Sequence, residues 1–424
     1  MLVTIITFLI ILGLLVLVHE LGHFFVARRF GVKCDEFGLG FPPRMIGFVK
    51  DPERPLGPEL EAEGAKRAEG SGVLGFFKQW KIVKRKNKDA RGNEKEYKNT
   101  IYSLNWIPLG GFVKIKGEQG EEAKDEDSFA HQKLWKRAII LSSGVTMNFI
   151  FATLLLSIGF IIGIPQVIDE ITPKYASVKD EKIQLLSIQK DSPAKQVGLE
   201  VGDIVVSIDN QKFKEIEDVQ KYIQEDDDGE IIVTVKRAGE EIEQTVTSEV
   251  MEIEGGQSKK AIGVVLAKTG TVSYPFFQAI WQGIITTLYL MKLIVLSFYH
   301  LFKDLIVMHK VTIDIAGPVG IAVVTGQVVR LGFIYILQFA ALLSINLGII
   351  NFFPFPALDG GRVVALGIEA VRRKPNNQRI EAVIHNIGFG VLMVLVVLVT
   401  YRDVVRFGGK LMGKIFGYFD DVVS

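Results

Sequence analysis

"VLVHELGHFF", residues 16–25, sets two histidines and a glutamate inside an apolar run that begins near the first methionine. On insertion scales an ionisable group in a membrane span costs on the order of 2.5–3.5 kcal/mol, so three within five residues need compensation. His19, Glu20 and His23 form an H-E-x-x-H pattern, whose i, i+4 spacing on a helix turns both imidazoles to one face, able to share a metal ion. Glu20 then projects beside the metal, where it can take a proton from water. The rival structural reading is a polar helix end whose histidines snorkel to the interface beside Arg28 and Arg29.

The run around this motif, residues 1–27, is long enough to span the hydrocarbon core. It lacks a basic leading segment, and no small-residue cleavage site follows, so it reads as a retained transmembrane helix rather than a signal peptide. Two further spans are expected at 138–163 and 382–401. Another is expected in the region 333–370, whose apolar part carries Asn346 and Asn351 and is broken by Pro354 and Pro356. Residues 276–309 are hydrophobic yet carry Lys292, His300, Lys303 and Asp304, and 276–330 is expected to lie in the membrane plane.

The chain has 424 residues and a net charge of only +1, but its charges crowd into 28–137 and 169–260. Basic clusters at Arg28, Arg29 and Lys33, at Lys133, Lys136 and Arg137, and at Arg372, Arg373 and Lys374 flank three spans. The positive-inside rule puts these on the cytoplasmic side, leaving the N-terminus, 164–275 and the tail 402–424 outside. An odd number of crossings must then separate 275 from 372, which favours four spans. Residues 51–96, rich in Glu, Lys, Gly and Pro, are expected to be a flexible insertion within the cytoplasmic-side region 28–137. The single cysteine, Cys34, excludes an intramolecular disulfide and a Cys-based metal cluster, and reads as a lone buried thiol. Residues 170–268 alternate strand and helix patterns as one compact α+β domain.

Two histidines leave a zinc site short of a third protein ligand. His300, His309, Asp304, Asp359, Glu369 and His385 are the candidates in or near spans. Asp359 is favoured because "NFFPFPALDGG" (351–361) breaks a span with proline and follows the aspartate with two glycines that permit close backbone approach. An ordinary turn before a helix is the plainer reading of "LDGG" by itself.

Together, HELGH and NFFPFPALDGG resemble the site-2 protease family of zinc intramembrane metalloproteases, and its RseP-like bacterial branch in particular. "IPLGGFVKIKGE" (107–118), "GVTMNFIFA" (144–152), "AGPVGIA" (316–322) and "SINLGIINFFP" (344–354) agree with it. The resemblance implies a polytopic α-helical membrane protein of four transmembrane helices with a membrane-associated β-loop and one α+β PDZ-like soluble domain. It implies zinc held by His19, His23 and Asp359, with Glu20 as general base. It further implies substrate contacts at Asn351, at Asn148, and along the loop at Gly110, Gly111, Phe112 and Val113, whose edge could pair with an unwound peptide. A simple hairpin against lipid is the alternative for that loop. "DSPAKQVGLEVGDIVVSIDNQ" (191–211) carries the PDZ likeness, and Ile262 and Gly263 in "AIGVV" would then belong to a carboxylate-binding loop for a peptide C-terminus, or the domain would act by steric gating.

The implied partners are the lipid bilayer and single-span membrane proteins such as anti-sigma factors or remnant signal peptides. No nucleic-acid partner is expected. The implied location is the bacterial cytoplasmic membrane, crossed several times. A metal or solute transporter, or a membrane PDZ scaffold with an inactive core, are the competing classes of function.

Overall fold

The computed structural model describes residues 2–50, 80–83, 97–118, 123–168, 172–173, 175–225, 229–237, 239–253, 257–307 and 317–423. They divide into two compact units, Met1–Leu156 with Ile284–Ser424, and Ser157–Gly283.

In the first unit, α1 (Leu2–Arg29) is apolar all round, as a helix facing lipid and protein should be, and ends with Arg28 and Arg29 in its last turn before Gly31. A three-stranded antiparallel sheet follows, of β1 (Cys34–Lys50), β2 (Trp80–Val83) and β3 (Ile101–Ile115) in the order β2-β1-β3. The expected insertion 51–96 thus contributes one strand, because Trp80–Val83 pairs with Gly47–Lys50; the remainder lies outside the described residues. Glu36 and Arg44 form an ion pair within β1. Cys34 is buried against Phe24, Ala27 and Ile140, and that burial pushes its thiol up to about 12, consistent with an inert thiol.

Gly110 and Gly111 let β3 cross α1 closely: a Cβ on Gly110 would sit 2.7 Å from Val16 Cγ1, and one on Gly111 would sit 3.2 Å from Leu17 Cδ1. Gly110 also has φ +76°, the left-handed region that favours glycine. This crossing brings β3 beside the turn of α1 that carries the histidines.

The second expected span is α2 (Leu134–Ile162). The second unit is built on a six-stranded antiparallel sheet of β4 (Ile164–Val167), β5 (Ser177–Ile188), β6 (Ile204–Ile208), β7 (Glu230–Arg237), β8 (Glu240–Thr247) and β11 (Val264–Ser273). Its order is β4-β11-β5-β6-β7-β8. A short helix α3 (Pro193–Gln196), the amphipathic α4 (Ile216–Glu225) and a β9 (Glu249–Ile253)/β10 (Gln257–Ala261) hairpin complete it. Alternate residues such as Ile231, Val233 and Val235 face a core shared with Leu185, Leu199, Val219 and Ile223. The unit is therefore wider than the expected 170–268, because β4 and the end of β11 extend the sheet at both ends.

Beyond the sheet come α5 (Phe276–Val307), α6 (Pro318–Leu331), α7 (Phe333–Phe352), α8 (Asp359–Arg372) and α9 (Gln378–Val423). By length and composition, five helices among the described residues could cross a membrane: α1, α2, α5, α7 and the Gln378–Arg406 part of α9. Four were expected, and α5 accounts for the difference. Lys292 is its one Asp, Glu, Lys or Arg before Lys303 and Asp304, which leaves an 18-residue window of mean hydropathy 1.6. The expected region 276–330 contains two helices, α5 and α6.

The expected region 333–370 is likewise two helices. Pro354 and Pro356 cannot continue α7, and the chain turns through Ala357, held at φ +82°. His385 of α9 accepts a 3.0 Å hydrogen bond from the Ala357 N–H. Gly360 and Gly361 then pack α8 against the carbonyls of Phe352, Phe353 and Phe355, where a Cβ on either would collide. That fold-back sets Asp359 at the first position of α8.

Candidate metal centre

Helix α1 delivers His19 and His23 on one face, each about 6% exposed. Their rings meet edge to face with centroids 4.8 Å apart. From the first position of α8, Asp359 Oδ2 comes to 3.0 Å from His19 Nε2 and 3.2 Å from His23 Nε2, and the two Nε2 atoms are 3.2 Å apart. Bonds of about 2.0 Å at tetrahedral angles set zinc ligands on the order of 3.3 Å from one another. Two imidazole nitrogens and a carboxylate oxygen at these separations fit the three-ligand set of a catalytic zinc site.

The surroundings point the donors inward. His23 Nδ1 donates to the Ile140 carbonyl at 2.8 Å, which fixes the tautomer that leaves Nε2 free to ligate. Asn148 of α2 lies 3.2 Å from His19 Nδ1. Between these two positions on the same face of α2 stands Gly144, where a Cβ would strike His23 Nε2 and lie 2.8 Å from His19 Nε2. Ile140, Gly144 and Asn148, four residues apart, thus form one stripe of α2 that backs the two histidines. On α1 itself, Gly22 lets the two helices meet, since a Cβ there would run into the Ser143 carbonyl.

Glu20 points toward the sheet, and its Oε2 accepts a 3.1 Å hydrogen bond from the Val113 N–H of β3. One carboxylate oxygen is thereby anchored at the strand that the Gly110-Gly111 crossing brings close. Ion pairs hold the neighbouring helix: Arg362 of α8 with Glu118 just past β3, and Arg137 of α2 with Glu369 at 3.0 Å.

Several sequence-based site residues therefore converge: His19, Glu20, His23, Asp359, Asn148 and Val113. Asp359 alone among the described third-ligand candidates joins the histidines. Glu369 is paired with Arg137, His385 with the Ala357 N–H, and His300 is exposed on α5; His309 lies outside the described residues. Gly110, Gly111 and Phe112 lie on β3 beside α1. The Val113 N–H, expected to meet substrate, is instead bonded to Glu20. Asn148, expected at substrate, is fully buried against His19. Asn351 sits in the last turn of α7, outside the hydrogen-bonded cluster. Ile262 and Gly263 belong to the second unit, where their carbonyls accept from the Ala194 and Gln189 N–H groups.

Sequence reading missed the roles of Ile140, Gly144 and Arg362. The G-x-x-x-N spacing of Gly144 and Asn148 was the available signal, since it places both on one helical face.

A family model described as peptidase family M50 matches residues 7–54 and 93–395. The regulator of sigma-W protease RasP of Bacillus subtilis (strain 168) is 32% identical over 440 residues, covering 95% of this chain and 98% of that protein. The zinc metalloprotease RasP of Geobacillus kaustophilus is 30% identical over 439 residues, again covering 95% and 98%. Among solved structures, the PDZ domain of an SdrC-like protein from Listeria monocytogenes aligns at 23% identity with a TM-score of 0.19, covering 21% of this chain and 92% of that chain. With a model match over most of its length, and with relatives of this identity and coverage, the chain belongs to peptidase family M50, the zinc metalloendopeptidases of the site-2 protease type.

Proposed function

We propose that this intramembrane zinc protease cleaves single-span membrane proteins in or beside their transmembrane segment, with His19, His23 and Asp359 holding the metal and Glu20 acting as general base. The observation that carries the assignment is the approach of Asp359 to both histidines across sequence separations of 340 and 336 residues. Zinc, when bound, supplies Lewis-acid polarisation of a peptide carbonyl and acidifies water.

The remaining work falls to the chain itself. Glu20, with one oxygen held by the Val113 N–H, accepts the proton of the attacking water on its other oxygen and passes it to the departing amine. Burial of the histidines excludes bulk water and strengthens each electrostatic contact at the reacting carbonyl. A helical substrate shields its own carbonyls, so it must unwind. The backbone along Gly110, Gly111 and Phe112, together with the Asn351 amide, replaces the hydrogen bonds it gives up.

The Bacillus relative is named for sigma-W, which supports membrane-bound regulators of transcription, such as anti-sigma factors, as one substrate class. Remnant signal peptides are a second class with the same single-span chemistry. In this reading α5 lies on the membrane while α1, α2, α7 and α9 cross it, and the basic clusters put the metal centre toward the cytoplasmic side of α1, with the N-terminus, the second unit and the C-terminus extracytoplasmic. The second unit, as a PDZ-like module, receives a peptide C-terminus near Ile262 and Gly263.

The test is Glu20→Gln in proteoliposomes with a single-span model substrate. Zinc content should stay at one ion per chain, while cleavage falls by about 10²–10⁴-fold, the usual contribution of general acid–base catalysis. A Glu20→Gln protein that cleaves at the normal rate overturns the assignment.

A further inference from the structure

Asn148 is fully buried, and its amide nitrogen position lies 3.2 Å from His19 Nδ1 while its Oδ1 has no partner among the described residues. Which end of an asparagine amide is oxygen follows from chemistry rather than from atom positions. If the amide NH₂ donated to His19 Nδ1, that nitrogen would be the ring's acceptor and Nε2 would carry the proton. A protonated Nε2 cannot be a ligand, yet Nε2 is the atom aimed at Asp359 Oδ2 and His23 Nε2. The reverse orientation puts Oδ1 against a protonated Nδ1 and frees the Nε2 lone pair. His23 already has this arrangement, through the Ile140 carbonyl.

As placed, the amide oxygen goes without a protein partner. A buried polar group left in that state costs about 1–3 kcal/mol. Fold alone does not call for it: the neighbouring tie from α7 to α2 runs from Ser344 Oγ to the Asn148 backbone carbonyl, at 2.8 Å, and needs no amide side chain.

We propose that Asn148 is a positioning residue for the metal: its side-chain oxygen accepts from His19 Nδ1–H, fixing the tautomer and ring angle that let Nε2 ligate. It acts through His19 and does not touch substrate. This rests on His19, His23 and Asp359 being the ligands.

The experiment measures zinc stoichiometry and zinc affinity, by competition with a chelator, on the full-length purified protein and its His19→Ala, Asn148→Leu and Asn148→Asp variants. Asn148→Leu keeps the branched four-atom side-chain skeleton, with bulkier methyl ends, and suits a membrane helix, and its zinc affinity should fall by about 10–100-fold, the usual cost of losing an outer hydrogen-bond partner of a metal histidine. Asn148→Asp keeps an acceptor oxygen, and its affinity should stay within about 3-fold of the parent, since carboxylate–histidine pairs serve the same purpose. Melting in excess chelator, compared with the metal-free parent, reports whether each variant folds. In the zinc-loaded parent, ¹⁵N shifts of His19 should show Nδ1 protonated, a reading that needs no variant. An Asn148→Leu protein that folds and binds zinc as tightly as the parent overturns the inference. So does Asn148→Asp losing zinc as fully as Asn148→Leu, or an unprotonated Nδ1. If His19→Ala keeps its zinc, the ligand assignment itself fails, a result distinct from the others.

Discussion

The metal centre depends on residues of two kinds: those that donate, and those that make room. His19, Glu20 and His23 announce themselves, because a charged-residue cluster in an apolar helix has few explanations. Gly144 does not, for a glycine in a membrane helix is ordinary until something is seen to occupy its missing side chain. Here His23 Nε2 and His19 occupy it. Gly144→Leu should therefore expel one or both imidazoles and strip the zinc, while α2 remains helical. Metal analysis beside circular dichroism checks this, and a fully loaded Gly144→Leu protein would contradict the close approach. The Val113 N–H was equally hidden, because its partner Glu20 lies 93 residues away and no side-chain chemistry marks a backbone donor.

At the scale of elements, the site stands where a strand crosses a helix and where a broken helix turns back. The first is governed by Gly110 and Gly111, the second by Pro354, Pro356, Gly360 and Gly361. A Gly110→Val substitution meets Val16 and also forces a β-branched residue to φ +76°. β3 should then withdraw from α1, taking the Val113 N–H from Glu20. Zinc should be retained while cleavage of a single-span substrate falls by about 10–100-fold, as expected of a positioning defect remote from the ligands; equal loss of zinc and activity would place the fault elsewhere. The break in 333–370 was legible because proline forbids helix, but its pairing with His385 and Gly388 of α9 was not, since that contact depends on how two helices dock. The extent of α5 was legible, since 276–309 reads as one helical apolar segment and the helix runs Phe276–Val307; whether it crosses the membrane is not set by its length and composition.

Across the molecule, stability is distributed over two units. Both combine apolar packing with ion pairs, and in the second unit the pair of Asp203 with Arg237 has its carboxylate fully buried. Asp203 is 1% exposed; burial alone would raise its pKa, but the Arg237 guanidinium at 2.6–2.7 Å and the Glu200 N–H hold it below the ordinary carboxylate value. A lowered folded pKa contributes stability above the unfolded value, near 3.9, and loses it as pH falls through the folded one. Arg237→Leu should therefore cost about 2 kcal/mol at pH 7, less than the roughly 3–5 of a fully buried pair because Arg237 is partly exposed. That cost should shrink below pH 4, as Asp203 protonates. Hydrogen exchange of β6 and β7 in the full-length parent and variant, compared at matched pH, measures both. What the chain determined by itself is everything set by spacing within one element: which segments are apolar enough to span, the shared face of His19 and His23, and the break before Asp359. The sequence also favoured Asp359 as third ligand, but its approach to both histidines, the hold of Val113 on Glu20 and the backing of His19 by Asn148 were decided in three dimensions. Those contacts join residues 340, 93 and 129 positions apart, and such distances close only through the packing of helices and sheet.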